Sequence, residues 1–127
     1  LWRKDEHIKH LAFHDALTDL PNRTLLMDRI DQKLLHSERE KSHFALMFLD
    51  LDGFKLVNDQ LGHNVGDDLL KDVAKRLQAL VRGSDTVARV GGAEFIYLLN
   101  NPPGKDEISN LAYLIVRSLS NPVEVLG

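Results

Sequence analysis

Apolar side chains recur along the chain at spacings that alternate between helical and extended structure. Ile8, Leu11 and Ala12 form one stripe within Leu1–His14, which predicts an amphipathic connector helix over residues 1–14. A break at Leu-Pro-Asn, residues 20–22, precedes a second helix that runs to the charged stretch 38–41. The apolar positions that predict this second helix are Leu25, Leu26, Ile30, Leu34 and Leu35.

A strand and a short helical segment come next. Phe44–Leu51 is short and apolar and is closed by Asp52 and Gly53, so we expect a buried strand that ends in a turn. Phe54–Leu61 predicts one or two helical turns, which break at Gly62.

A longer helix and a hairpin follow. Asp67–Leu80 has a helical apolar face, and we expect its first two acids to lie at the positive end of the helix dipole. Thr86–Val90 and Glu94–Leu99 are strand-like runs that flank Gly91 and Gly92. Both glycines can supply the positive φ angles of a tight hairpin.

The end of the chain predicts a helix over Glu107–Leu119 and the start of a strand over Pro122–Leu126. After the first two helices, the order strand-helix-strand-strand-helix-strand predicts an α+β, ferredoxin-like fold, with helices on one face of an antiparallel sheet. We assign 1–14 to the connector and 15–127 to one domain. Because the last strand is largely absent, we expect the domain to continue beyond the sequence.

Composition narrows the classes of function. With 127 residues, 43% of them hydrophobic, the chain can build one core. The formal charge of −3 argues against a nucleic-acid surface and leaves small phosphorylated ligands open. The chain has no cysteine, which excludes disulfides and thiolate metal sites. The longest apolar run, Phe44–Leu49, is far below the roughly 20 residues that span a bilayer, so we expect a cytoplasmic domain, whose parent protein could be membrane-anchored.

The first candidate site lies where the strand at residues 44–51 ends. Asp50 leaves a buried strand and would be held rigidly, while the amides near Phe54 begin a helix and point outward. A carboxylate suits Mg²⁺, and a helix start suits phosphate. Acids and glycine also simply terminate strands, and on this stretch alone that interpretation is favoured. The spacing of glycine and glutamate excludes an EF-hand.

The second candidate site is the hairpin and the turn before it. Arg82 and Asp85 could present a donor fork and an acceptor to a planar base, close to a backbone that Gly91 and Gly92 leave open. On their own, such residues more often form a surface ion pair of little energetic weight.

Four segments together resemble the ordered signature of the GGDEF family of diguanylate cyclases. They are DALTDLPNR at 15–23, the stretch 48–58, GHNVGD at 62–67 and RVGGAEF at 89–95. The resemblance runs from Leu11 onward and stops before the family's final strand and its C-terminal basic motif. It implies a nucleotidyl-cyclase-like fold.

The resemblance also implies a chemistry. In the family, two GTP molecules on two facing domains are joined into cyclic di-GMP with release of pyrophosphate, which implies Mg²⁺ or Mn²⁺ and a possible homodimer. Asp50 and the backbone carbonyl of Leu51 match the metal ligands. The positions that match GTP contacts are Phe54, Lys55, Asn58, His63, Asp67, Gly91 and Gly92.

The chain departs from the family at Ala93. There the family carries an acid that bridges the metals and serves as the base, and a methyl group does neither. The loss predicts turnover lower by on the order of a hundredfold to ten-thousandfold. Glu94 is adjacent, but side chains alternate along a strand, so we expect it to face away from the metals unless a bulge intervenes. An active cyclase that uses Glu94 is the alternative.

Binding can outlast catalysis. Arg82 and Asp85 match the family's product-inhibition motif, so we expect a regulatory receptor for GTP, for cyclic di-GMP, or for both, and the second site requires both residues to be exposed. The alternative from another class is a dimerisation spacer that binds neither. The motif at 15–23 also resembles proteins that carry an EAL phosphodiesterase domain, so adjacent sensor and EAL-type domains are expected in the parent protein.

Histidines near the N-terminus suggest two weaker alternatives. His7, His10 and His14 fall at helical spacing and could bind zinc, although the polar face of a connector helix is favoured. His14 and Asp15 resemble the dipeptide of HD-type phosphohydrolases, but further metal-binding histidines at suitable positions are missing.

Overall fold

The structure is a computed structural model that describes residues 4–120. The helices and strands follow one another in the predicted order, which confirms an α+β fold. The predicted strand over Pro122–Leu126 lies outside the described residues. No helix within 4–120 is long and apolar enough to cross a membrane. The elements are α1 Lys4–Phe13, α2 Arg23–Glu40, β1 Phe44–Asp50, α3 Phe54–Leu61, α4 His63–Ala79, β2 Thr86–Gly91, β3 Glu94–Asn100 and α5 Lys105–Leu119.

The three described strands form one antiparallel sheet in the order β1-β3-β2. β3 lies in the centre and pairs with β1 from Phe44 opposite Asn100 to Asp50 opposite Glu94. β2 pairs with the other edge of β3, with Thr86 opposite Leu98. The C-terminal end of β1 and the N-terminal end of β3 therefore meet at the same end of the sheet.

Helices cover both faces of this sheet, so the prediction of a single covered face was wrong. Phe95, Tyr97 and Leu99 of β3 pack with α4 and α5 in the larger core cluster. Leu98 of β3 packs on the other face with Leu26 of α2 in a smaller cluster. A strand exposes alternate side chains to opposite faces. In β3 the apolar residues at 95, 97 and 99 lie on one face and those at 96 and 98 on the other, so both faces bury apolar area.

The described helix boundaries differ from the predicted ones chiefly at α4. Asn22 caps α2 by accepting a hydrogen bond from the Leu25 amide at 3.0 Å. α4 begins at His63, directly after Gly62, whose φ of 93° turns the chain between two helices. Asp67 therefore lies in the second turn of α4, which corrects the prediction that it begins the helix.

Candidate functional site

Asp50 and Glu94 lie directly opposite each other where β1 ends and β3 begins. Both side chains are exposed. Residues that are directly opposed in an antiparallel pair project from the same face with their Cβ atoms about 4.5–5.5 Å apart. Glu94 thus shares a face with Asp50, the acid predicted to bind the metal, whereas strand alternation alone predicted that Glu94 would face away from that ion. Alternation within β3 could not reveal this, because the register between β1 and β3 decides it.

Ala93 occupies the hairpin turn beside these acids. Its side chain is partly buried and packs against the larger core cluster. Its carbonyl accepts a hydrogen bond from the Leu51 amide at 3.2 Å, which ties the turn to the end of β1. Of the two glycines before it, only Gly92 has a positive φ, of 32°, whereas Gly91 belongs to β2 at a register shift that begins at Arg89. The prediction that both glycines adopt positive φ was wrong.

Few oxygen ligands for a metal ion lie at this end of the sheet. Within residues 4–120, no group of three or more histidine, aspartate or glutamate side chains could hold a metal ion. Asp50, Glu94 and the Leu51 carbonyl remain as candidates. Mg²⁺ is commonly bound by one or two carboxylates together with water and substrate phosphates, so this set fits the ion when a nucleotide supplies further oxygens. Like charges that are directly opposite destabilise a sheet, and a bound cation would relieve that repulsion.

Five of the seven predicted GTP contacts lie on α3 and α4, and the other two, Gly91 and Gly92, lie in the hairpin. Phe54 and Asn58 are one turn apart on α3, and His63 and Asp67 are one turn apart on α4. Lys55, His63 and Asp67 are exposed, and Phe54 and Asn58 are partly buried. The structure thus places the positions predicted to contact base and ribose on two helices joined at Gly62.

Asn58 and Gly66 form the contact between these helices. Asn58 Oδ1 is buried and has no hydrogen-bond partner among the described residues. A Cβ added at Gly66 would overlap this oxygen and lie 2.9 Å from Asn58 Cγ, so glycine is required for the close approach. A buried amide without a partner is costly, and a ligand that donates a hydrogen bond would offset that cost. Gly66 was missed in the sequence analysis, although it lies within the GHNVGD motif.

Asp15 and Arg89 join the first and last signature motifs. Arg89 Nη1 donates to both carboxylate oxygens of Asp15, at 3.0 and 3.1 Å, and Arg89 Nε donates to the Gly92 carbonyl at 2.8 Å. Partial burial raises the pKa of Asp15, but hydrogen bonds from Thr18 and Arg89 outweigh it and hold the pKa below the usual 3.8. Both residues were quoted in the motifs without a role, and the structure shows that they fix the hairpin.

Arg82 and Asp85 are in contact, but they differ in exposure. The Asp85 side chain is 2% exposed, accepts a hydrogen bond from Arg82 Nε at 3.0 Å and accepts another from the Asn100 amide at 2.9 Å. The predicted cyclic di-GMP site requires both residues to be exposed, and only Arg82 meets that requirement, because Asp85 is buried and anchors the end of β3. Arg82 is 47% exposed and also pairs with Glu107 of α5, which the sequence analysis missed. Asp85, and then Glu107, raise the pKa of Arg82.

A cavity of about 200 Å³ adjoins this ion pair. Its walls are mostly apolar and come from the segment between α4 and β2, from β3, from α5 and from the loop between β3 and α5. The residues that line it are Leu80, Arg82, Asp85, Leu99, Pro102, Glu107, Ile108, Asn110, Leu111 and Leu114.

Two of the three N-terminal histidines, His10 of α1 and His14 just after it, make contacts with protein groups. The rings of His10 and His14 stack with centroids 3.9 Å apart, His10 Nε2 lies 2.5 Å from Asp19, and His14 Nδ1 donates to the His10 carbonyl at 3.1 Å. His7 is exposed. These three histidines do not belong to any metal-binding group within 4–120.

Comparison with known proteins decides the family. The model of the family "Diguanylate cyclase, GGDEF domain" matches residues 12–127. The chain belongs to the GGDEF family. It is 46% identical over 125 residues to the bifunctional diguanylate cyclase/cyclic di-GMP phosphodiesterase MucR of Pseudomonas aeruginosa, a match that covers 98% of this chain and 18% of MucR. The chain therefore spans less than a fifth of that relative.

Solved structures of GGDEF domains share the fold. The isolated GGDEF domain of TpbB from Pseudomonas aeruginosa superimposes with a TM-score of 0.82 at 38% identity, covering 87% of this chain and 64% of that one. The coiled coil and GGDEF domain of DgcB from Caulobacter crescentus, solved in complex with c-di-GMP, gives a TM-score of 0.82 at 29% identity, covering 87% and 57%. The predicted fold class is thereby confirmed.

Proposed function

We propose that this GGDEF domain is a regulatory module of cyclic di-GMP signalling that binds GTP, cyclic di-GMP or both, and that its own cyclase activity is impaired. One observation carries the impairment: position 93, in the hairpin turn that is tied to the end of β1 at Leu51, carries only a methyl group, which packs against the core. A methyl group neither ligates a cation nor accepts a proton.

Binding of GTP is supported by polar side chains on α3 and α4. The unpartnered Oδ1 of Asn58 and the exposed carboxylate of Asp67 can together accept hydrogen bonds from a guanine edge, which offers N1–H and an exocyclic amine. The exposed Lys55 at the start of α3 can pair with a phosphate. In this proposal none of these roles requires the acid that is missing at position 93.

A divalent ion would accompany the nucleotide. Asp50 and the carbonyl of Leu51 would hold Mg²⁺ or Mn²⁺, with Glu94 as a third oxygen donor on the same face. When bound, such an ion stabilises negative charge on phosphoryl oxygens. Asp50 and Glu94 then position the ion, and Lys55 orients the triphosphate.

Binding of cyclic di-GMP is supported by Arg82. Its guanidinium is about half exposed and is oriented by buried Asp85, which accepts from Arg82 Nε. A fixed guanidinium is suited to phosphate and to the acceptor edge of guanine. DgcB, which is similar to this chain, was solved in complex with c-di-GMP.

An active cyclase that uses Glu94 is the second candidate function. The direct pairing of Glu94 with Asp50 favours it, because the two carboxylates are within reach of one cation. The difference between the two proposals is quantitative: a domain that uses Glu94 turns over GTP at an ordinary rate, whereas an impaired domain binds GTP with little turnover.

The whole protein would place this domain beside others. MucR is named as both a diguanylate cyclase and a cyclic di-GMP phosphodiesterase. We propose that adjacent sensor and EAL-type domains are present here too, in a cytoplasmic protein that forms a homodimer. A nucleic-acid partner is not proposed, because the formal charge is −3. A spacer that binds no nucleotide is the remaining alternative.

Calorimetry on the full-length protein tests the proposal. GTP with Mg²⁺ and cyclic di-GMP are titrated separately, and product formation from GTP is followed by chromatography on the same samples. Binding of either nucleotide with turnover at least about a hundredfold below that of an intact family member supports the proposal. Ordinary turnover would refute the impairment, and absence of binding of both nucleotides would leave the spacer.

A further inference from the structure

Glu107 occupies the guanidinium that a ligand at Arg82 needs. It lies in the first turn of α5, and its carboxylate pairs with Arg82 Nη1. Asp85 accepts a hydrogen bond from Nε of the same guanidinium. Arg82 is thus shared between two acids that come from different parts of the chain.

The two acids play unequal parts. Asp85 is 2% exposed and is held by the Asn100 amide, so it cannot leave without disturbing the end of β3. Glu107 is 41% exposed and makes a surface ion pair, which is typically worth little in water. A competing anion would therefore displace Glu107 and leave Asp85 in place.

Charge makes Glu107 a barrier as well as a competitor. One guanidinium between two carboxylates gives this cluster a net charge of minus one. A cyclic dinucleotide carries two phosphates, so the cluster repels the ligand until the carboxylate of Glu107 moves away or is neutralised. The cavity beside Arg82 is lined by Glu107 as well, and its apolar walls suit the face of a base.

We propose that Glu107 is an intramolecular latch, which sets the affinity of the Arg82 surface for cyclic dinucleotides by competing for its guanidinium. The inference rests on the proposed binding of cyclic di-GMP at Arg82 and adds a residue that determines its strength. Neutralising Glu107 tightens binding, because the ligand no longer has to break an ion pair or approach a negative cluster.

The test compares two matched variants of the full-length protein. Glu107→Gln removes the charge and keeps the shape, and Asp106→Asn does the same at the neighbouring acid of the same helical turn, which is exposed. Both variants lose the same interaction with the helix dipole, so stability and general charge effects are matched. Thermal unfolding followed by circular dichroism confirms that both variants fold.

Isothermal titration with cyclic di-GMP gives the outcome. We expect Glu107→Gln to bind on the order of fivefold more tightly than wild type, Asp106→Asn to bind like wild type, and the gain to shrink at high salt. Equal affinity of wild type and Glu107→Gln would overturn the latch and leave binding at Arg82 intact. An equal gain in both variants would also overturn it, as a general charge effect. Absence of binding in every variant would overturn the latch and the proposed cyclic di-GMP site together.

Discussion

Arg89 of β2 donates two hydrogen bonds from Nη1 to the carboxylate of Asp15, at 3.0 and 3.1 Å, across 74 positions of sequence. The same guanidinium holds the Gly92 carbonyl through Nε, and the Arg89 amide donates to the Pro21 carbonyl at 3.1 Å. The glycine hairpin is thereby fastened to the loop that precedes α2. The first and last signature motifs of the chain therefore act as one structural unit.

Removing this ion pair should destabilise the domain in a pH-dependent way. Asp15→Asn is expected to lower the free energy of unfolding by about 1–3 kcal/mol at neutral pH, because it leaves Arg89 without its charged acceptor. The pKa of Asp15 is lowered in the folded state, so its contribution is present above the unfolded value of 3.8 and is lost as the pH falls through the folded value. Urea unfolding of both proteins over a pH series measures the difference.

Asp59→Asn on the exposed side of α3 is the matched control and should leave the unfolding energy nearly unchanged. A difference between wild type and Asp15→Asn that stays constant well below pH 3.8 would contradict the assignment.

Gly66→Ala should impair GTP binding through Asn58. The new methyl group would overlap Asn58 Oδ1, so the amide must rotate or the two helices must separate. We expect about tenfold weaker GTP binding and a loss of about 1–3 kcal/mol in unfolding energy. Gly104→Ala, where an added Cβ meets nothing within 4 Å, is the control for titration and melting. An unchanged GTP affinity in Gly66→Ala would exclude Asn58 as a GTP contact.

Restoring an acid at the turn should restore catalysis. Ala93→Asp places a carboxylate beside Asp50 and is expected to raise cyclic di-GMP production by on the order of a hundredfold to ten-thousandfold over wild type. Ala93→Asn has a similar volume without the charge and should remain inactive. Chromatography of product from GTP and Mg²⁺ measures both. Equal rates for wild type and Ala93→Asp would show that position 93 does not limit turnover.

Glu94→Gln separates the two candidate functions. If the domain is an active cyclase that uses Glu94, the variant should form product roughly tenfold or more slowly than the wild type, because the Glu94 charge that stabilises the cation is lost. If the domain only binds, the variant should change GTP affinity modestly and leave the low rate as it is. Single-turnover assays at saturating GTP distinguish these results, with Asp52→Asn, beyond the end of β1 and exposed, as the control.

Arg82 and Asp85 should respond differently to removal, although they share an ion pair. Arg82→Ala is expected to abolish most cyclic di-GMP binding and to cost less than about 1 kcal/mol of stability, since its side chain is half exposed. Asp85→Ala should cost about 1–3 kcal/mol, because it leaves the Asn100 amide unpaired. Calorimetry and urea unfolding on both variants give the two numbers. A large loss of stability in Arg82→Ala would reverse these assignments.

Periodicity predicted the described elements because their apolar stripes are strong. The start of α4 was missed because residues 63–66, His-Asn-Val-Gly, carry no helical stripe, and the helix is begun by Gly62 and its positive φ. The second covered face of the sheet was missed because Leu26 of α2 meets Leu98 of β3 only after the chain folds back. Local pattern contains no information on that approach.

The sequence allowed the residues of the candidate site to be predicted, but not which of them are in contact or buried. Motif resemblance supplied Asp50, Asn58 and Arg82, but pairing across strands decides that Glu94 faces Asp50. Burial of Asp85 follows from a hydrogen bond to a backbone amide 15 residues away, which no spacing rule encodes. Glu107 likewise reaches Arg82 only through the packing of α5.

The central strand β3 sets the distance between the two proposed nucleotide-binding surfaces. Glu94 begins β3 beside the hairpin, and Asn100 ends it beside Asp85. At about 3.4 Å per residue these ends stand roughly 20 Å apart on one hydrogen-bonded rod, beyond the range over which substitutions usually interact. Substitutions near Glu94 should therefore leave ligand binding near Asp85 unaffected.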